Sequence, residues 1–248
     1  GIFVIFEISL NTVITFLVAI TAVILLVFRD TILGFVTGVH VSTSKNMKVG
    51  DWIGIPKYNI EGNIQDINLL TTKIVNFDKT ISTIPTYDLL STEIRNHQVM
   101  YEGSSRRIKR SIYFNIKSFK FVDDEFYEKV KDINLISEYM DRKLREIAES
   151  KKNIAHAERI INGQQLTNIG LFRNYVLNYL KNNPKVDQDE IVLVRQLEIS
   201  PQGMPLEIYC FANKAELVDY ERIQADIFDH ILTAAQEFDL EIMQVAKA

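Results

Sequence analysis

From Ser9 to Phe28 the chain reads SLNTVITFLVAITAVILLVF, a run without charge, proline or glycine. At about 1.5 Å per residue, roughly 20 helical residues span about 30 Å, the thickness of a bilayer's hydrocarbon core. The run therefore predicts a membrane-spanning helix. A buried core helix is the alternative, and the length argues against it. A signal peptide would place basic residues ahead of a shorter apolar stretch; here Arg29 follows the run and no cleavage site is visible. Thr12, Thr15, Ala19 and Ala22 recur at spacings of three and four, so they share one helical face. Small residues on one face let a second helix approach closely in lipid, although alanine and threonine occur in any membrane helix.

The apolar pattern resumes after the charged pair Arg29 and Asp30. In TILGFVTGVHV (31–41), Ile32, Phe35, Val36 and Val39 form a stripe at i, i+3, i+4 and i+7, and Gly34 and Gly38 sit four apart on one face. A helix with one apolar stripe just below the membrane core suits an interfacial position against phospholipids. The expectation is a spanning helix within residues 1–28, a break at Arg29-Asp30, and an amphipathic helix over residues 29–46.

Beyond this the period shortens to that of strands. VGDWIGI (49–55), NIQDINLL (63–70), TKIVNF (72–77) and TISTIPT (80–86) are β-branched and partly alternating, with Gly50-Asp51, Pro56, Gly62 and Asp78-Lys79 read as turns. Residues 47–103 thus predict a small β domain. In residues 104–248, SSRRIKR leads into a strand, and a charged helical insert follows at about 123–165. Its stripe is Ile136, Tyr139, Met140, Leu144 and Ile147. INGQQLTNIG (161–170) reads as a turn and short strand, with Thr167 or Asn168 capping a helix that buries Phe172, Tyr175, Val176, Tyr179 and Leu180. Strands at 190–199 and 206–212, a helix from Tyr220 to Phe238 and a last strand at 240–243 complete a β-α-β-β-α-β order. That order suits a ferredoxin-like α+β domain.

Charge adds an orientation. Up to Phe28 only Glu7 is charged, whereas Arg29, Lys45 and Lys48 follow the span, so the positive-inside bias puts the later domains in the cytoplasm. The abrupt start inside apolar sequence predicts further membrane helices upstream. A net charge of −4 gives no electrostatic reason to bind nucleic acid. One cysteine, Cys210, allows no intrachain disulfide and fits a reducing compartment.

Enzyme signatures are missing from the sequence: no GxGxxG, Walker A, HExxH, paired CxxC or nucleophile elbow. His40, His97, His156 and His230 lack ligand spacing, so neither metal nor cofactor is expected. Asp226, Asp229 and His230 read as a solvated helix face. The cluster Arg106, Arg107, Lys109 and Arg110 reads as a strand edge or a set of inter-subunit ion pairs, ahead of contact with lipid phosphate.

Seven stretches, taken in order, carry a resemblance: VFRDTILGFVTGV, KVGDWIGIPKY, TISTIPT, RRIKRSI, LTNIGLFRNYVLNYL, LVRQLEISPQGMPLEIYCF and YERIQADIFDHIL. Together they resemble the small-conductance mechanosensitive channel (MscS) superfamily, in particular its YbdG-like miniconductance branch, from about Ala19 to Phe238. The resemblance implies a membrane pore helix, a small Sm-like β domain and a cytoplasmic α+β domain. It further implies a homo-oligomer, usually a heptamer, in the bacterial inner membrane, opened by tension to release ions and small solutes during hypo-osmotic shock. Leu26 and Ala22 then fall at the pore constriction, and Arg29 and Asp30 at the pore mouth and kink. Ile32, Gly34, Phe35, Val36, Gly38 and Val39 fall on the gating helix. For Arg29 the plainer alternative is a stop-transfer residue snorkelling to the interface. The main rival for the whole chain is a membrane-tethered, non-conducting sensor or binding module. A membrane enzyme is disfavoured by the missing catalytic constellation.

Overall fold

A computed structural model describes residues 9–43 and 47–244; Glu7 and Lys45, which entered the orientation argument, lie outside them. The chain divides into two compact units, Gly1–Val99 and Met100–Ala248.

The first unit opens with α1 (Leu10–Val27), whose mean hydropathy is 2.6 and of which no part is buried. Ser9 caps it, its Oγ accepting from the Thr12 amide at 3.2 Å. After one residue, Phe28, the chain continues as α2 (Arg29–Thr43). Strands β1 (Trp52–Ile55), β2 (Ile60–Ile67), β3 (Thr71–Asn76) and β4 (Ile81–Pro85) follow. A short helix α3 (Asp88–Ser91) then leads to a two-residue strand β5 (Arg95–Asn96), and α4 (Gln98–Glu102) spans the boundary between units in sequence. The sheet is antiparallel in the order β4-β3-β2-β1-β5, with a bulge between Ile64 and Asp66. Ile53, Ile55, Ile64, Ile74, Ile84 and Leu89 form its core, and Val41 of α2 joins them.

Two readings of this unit need correction. The second strand covers 60–67 rather than 63–70, and Gly62 lies within it rather than in a turn. A Cβ on Gly62 would sit 2.2 Å from the Val75 carbonyl oxygen, so the residue is small because β3 passes close. The KVGD turn is a turn as expected. Gly50 has φ +97°, and buried Asp51 accepts at Oδ2 from the Lys48 amide and from Asn96 Nδ2, both at 3.0 Å, fixing the turn to β5.

The second unit contains β6 (Arg106–Phe114), α5 (Asp124–Val130), α6 (Asn134–Lys151), α7 (Asn168–Lys181), β7 (Leu193–Gln196), β8 (Met204–Ala212) and α8 (Leu217–Ala234). Strands β6 and β7 both run antiparallel to β8 between them, the split β-α-β arrangement of a ferredoxin-like domain. The expected strand at 240–243 is a single bridge, Ile242 to Phe114, on the other side of β6. Hydrogen bonds from the Asn115 amide to Glu241 O and from the Met243 amide to Tyr113 O support it. Residues 161–167 form a turn with one bridge, Phe121 to Thr167, in place of a short strand, and 168–170 already belong to α7. The strand expected at 190–199 shortens to β7, paired from Leu193 with Tyr209 to Gln196 with Leu206; Val186 and Asp187 take the end of β8 at Ala212 and Phe211, and Ile191 and Ile199, outside the β7 register, are 66% and 63% exposed.

Helices α7 and α8 bury Phe172, Val176, Leu180, Ile227 and Ile231 against the sheet, and insert helices α5 and α6 add Phe126, Val130, Ile136 and Met140 to the same core. Thr167 caps α7 through its Oγ1, which accepts from the Gly170 amide. Asn168, fully buried, donates from Nδ2 to Ser118 O (2.9 Å) and Phe238 O (3.0 Å) and accepts at Oδ1 from the Lys120 amide (3.0 Å). One side chain so joins the exit of β6, the start of α7 and the turn after α8. Cys210 is buried on β8, and that burial pushes its thiol up to about 12.

Candidate pore-lining and gating elements

The hydroxyls of α1 need no outside partner in lipid. Thr15 Oγ1 donates to Asn11 O and Thr21 Oγ1 to Leu17 O, each at 2.8 Å. Thr15, Ala19, Ala22 and Leu26 follow at spacings of four, three and four, so Leu26 continues the small-residue face. Within one chain this face is open, Leu26 being 73% exposed.

At the break, Phe28 adopts φ −96° and ψ 6°. Its amide donates to Ile24 O at 3.0 Å and its carbonyl accepts from the Ile32 amide at 2.9 Å, so one residue closes α1 and opens α2. Arg29 and Asp30 are both exposed. Asp30 lies in the first turn of α2, where the helix dipole favours a carboxylate. That gives the acid a local reason to be there, beside any role at a pore mouth.

Helix α2 has two unlike faces. Ile32, Phe35, Val36 and Val39, the apolar stripe, are exposed. The buried face is Gly34, Thr37 and Val41, turned to the β domain. A Cβ on Gly34 would lie 1.8 Å from Leu69 O, a distance no side chain tolerates. The loop carrying that carbonyl is held from several sides. Asn68 Oδ1 accepts from the Leu70 and Thr71 amides, Thr86 Oγ1 donates to Asn68 O at 2.7 Å, and the Thr86 amide donates to Leu70 O at 3.0 Å. With its hydrogen spent on Asn68, the Thr86 hydroxyl accepts from the buried Thr72 hydroxyl at 3.1 Å. The paired glycines therefore differ. Gly34 admits the Leu69 carbonyl, whereas a Cβ on Gly38 would meet nothing within 4 Å and borders an apolar cavity of about 690 Å³. Sequence reasoning placed both on one face of the helix and had no signal for the Asn68–Leu70 loop.

The remaining sequence candidates take structural places. His230 stacks on Tyr179 at 4.1 Å and contacts the Tyr175 hydroxyl at 2.7 Å, and Asp226 pairs with Lys185 at 2.7 Å. Along β6, the Arg106 guanidinium lies over Tyr220, Arg107 over Tyr209 and Arg110 over Phe228, and Lys109 is 3.9 Å from buried Glu207. Those basic residues are engaged within their own unit. Among the described residues no group of three His, Cys, Asp or Glu could hold a metal ion.

Residues 30–99 match a family model for the mechanosensitive ion channel β domain, and residues 166–242 match one for the C-terminal domain of the mechanosensitive ion channel MscS. The chain belongs to the MscS superfamily. Among MscS-family relatives, the low conductance mechanosensitive channel YnaI of Escherichia coli is 22% identical over 208 residues, covering 84% of this chain and 46% of YnaI. The small-conductance mechanosensitive channel MscMJ of Methanocaldococcus jannaschii is 34% identical over 71 residues, 29% of this chain and 20% of MscMJ. The chain thus spans less than half the length of these relatives. The fold matches Arabidopsis thaliana MSL1 (TM-score 0.64, 15% identity, 96% of this chain and 68% of that one). It also matches the closed state of Helicobacter pylori MscS (TM-score 0.58, 15% identity, 98% of this chain and 74% of that one). Residues 100–165, which hold the helical insert, fall outside both family models.

Proposed function

We propose that this chain forms the pore helix and cytoplasmic vestibule of a tension-gated channel of the bacterial inner membrane. Copies of the chain assemble as a ring, a heptamer as the resemblance to the MscS superfamily implies, with the α1 faces around the axis. Leu26 supplies the narrow ring and Ala22 a wider one above it. A leucine ring gates by dewetting, because ions and water lose too much hydration to enter it. Tension favours the state of larger membrane area, a population shift that needs no ligand. Opening releases ions and small solutes during hypo-osmotic shock. Arg29 and Asp30 stand at the cytoplasmic mouth, where neighbouring copies can pair them, and Ile32, Phe35, Val36 and Val39 face phospholipid or the next copy.

The observation that carries this reading is the one-residue break between α1 and α2 together with the seating of Gly34 on Leu69. A tether needs neither a second helix continuous with the span nor a rigid dock beneath it. In a gate, that dock lets α1 move only when α2 moves.

The test is patch-clamp recording of the full-length protein in liposomes under graded suction, beside a Leu26→Ser variant. We expect tension-gated steps, with the variant opening at lower tension. Steps insensitive to the substitution would move the gate away from Leu26. Silence at every tension short of rupture, from assembled protein, would leave the tethered sensor.

A further inference from the structure

We propose that a cleft on the β domain binds a small organic cation of the quaternary or alkylated ammonium class, an inference independent of the channel reading. The cleft is about 560 Å³, within the range of small-molecule sites, and its lining includes Gly54, Glu61, Phe77, Asp78, Arg95 and His97. Two of these are aromatic, and Trp52 touches both. The Trp52 and Phe77 rings meet edge-on at 5.4 Å and 77°, and Trp52 and His97 lie at 4.8 Å and 33°. Phe77, in the turn after β3, is 57% exposed, although a solvent-facing phenylalanine contributes little to the fold. Gly54 makes room for the imidazole: a Cβ there would lie 3.0 Å from His97 Nε2.

The charges select the sign of the ligand. Arg95 is countered by Glu93 at 2.9 Å. Glu61 takes the Trp52 indole N–H on Oε1 at 3.2 Å, which fixes its carboxylate beside the ring. Asp78 accepts from the Thr80 amide and hydroxyl, and those bonds hold its carboxyl below the usual carboxylate range. The cleft therefore presents the Glu61 and Asp78 carboxylates together with the Phe77 and His97 rings. With Arg95 paired to Glu93, the two carboxylates disfavour an anion there. A bare metal ion finds no set of ligands among the described residues. An alkylated ammonium fits both features, because its methyl groups lie on ring faces while its diffuse charge answers the carboxylates.

The chain's single tryptophan makes the cleft observable. The detergent-solubilised protein is titrated with tetramethylammonium chloride and, at matched ionic strength, with sodium chloride, following Trp52 fluorescence. We expect a saturable change with tetramethylammonium alone. Phe77→Leu should weaken it about fivefold and Glu61→Gln about threefold. Equal responses to the two salts would overturn the proposal, as would a saturable response unchanged by both substitutions. Glu61→Gln keeps the Trp52 hydrogen bond, so it decides the matter even where Phe77→Leu alters folding.

Discussion

Asn168 uses both ends of its amide on backbone groups that come from segments about 50 and 70 residues away in sequence. Replacing it with alanine strands two carbonyls and one amide in a dry interior, each uncompensated group costing about 1–3 kcal/mol. We expect Asn168→Ala to lose about 2–4 kcal/mol in urea unfolding, and Asn168→Asp at least as much, since a carboxylate would face two carbonyl oxygens. From the sequence Asn168 was legible only as one of two capping candidates. Thr167 is the cap, a role its three-residue spacing to Gly170 makes local. The role of Asn168 depends on distant carbonyls, and nothing in a linear pattern points to those.

For the helices and strands, period showed which segments pair or pack, while contact with a partner set where they end. A small β domain followed by an α+β domain was readable from alternation and from the 3.6-residue stripes of α6, α7 and α8, while the MscS resemblance rested on the matching stretches. The strand lengths of β7 and the C-terminal bridge were not, because alternation continues past the last paired residue. Helix α2 shows a different limit. Its more hydrophobic stripe is the exposed one, and the plainer face of Gly34, Thr37 and Val41 docks. Gly34→Ala should therefore force α2 off the Leu69 carbonyl, lowering stability by about 1–3 kcal/mol and shifting the opening tension, whereas Gly38→Ala should leave the melting temperature near wild type. Thermal melts of the two variants, followed by suction thresholds, check this.

The insert has its own fastening. Asp239 accepts from Lys120 and from Lys129 of α5, each at 2.7 Å, and these hydrogen bonds hold its carboxyl below the ordinary 3.8. A depressed folded value means that the contribution is complete above the ordinary value and fades as pH falls from about 4 toward the lower folded value. The pair is part-exposed, so the effect is small. Asp239→Asn should lower the melting temperature slightly at pH 7 and flatten its acid limb, the two proteins converging below about pH 4 as Asp239 takes up its proton.

At the scale of the whole molecule, a chain whose α1 has no buried residue is incomplete alone: its apolar surface calls for lipid, other copies, or both. The proposed ring answers that need, and it makes the exposed stripe of α2 the place where membrane area is sensed. Phe35→Lys puts a charge there. We expect it to change the opening tension while leaving the assembled mass, measured in detergent, unaltered.

The buried thiol of Cys210 has a practical consequence. With its pKa raised to about 12, it holds almost no thiolate at neutral pH and lies out of reach of bulky reagents. A cysteine introduced at Leu26, Phe35 or Phe77 would then be the reactive one in this chain. Spin labels or fluorophores could be placed on the proposed gate, the stripe or the proposed cleft without first removing the native residue.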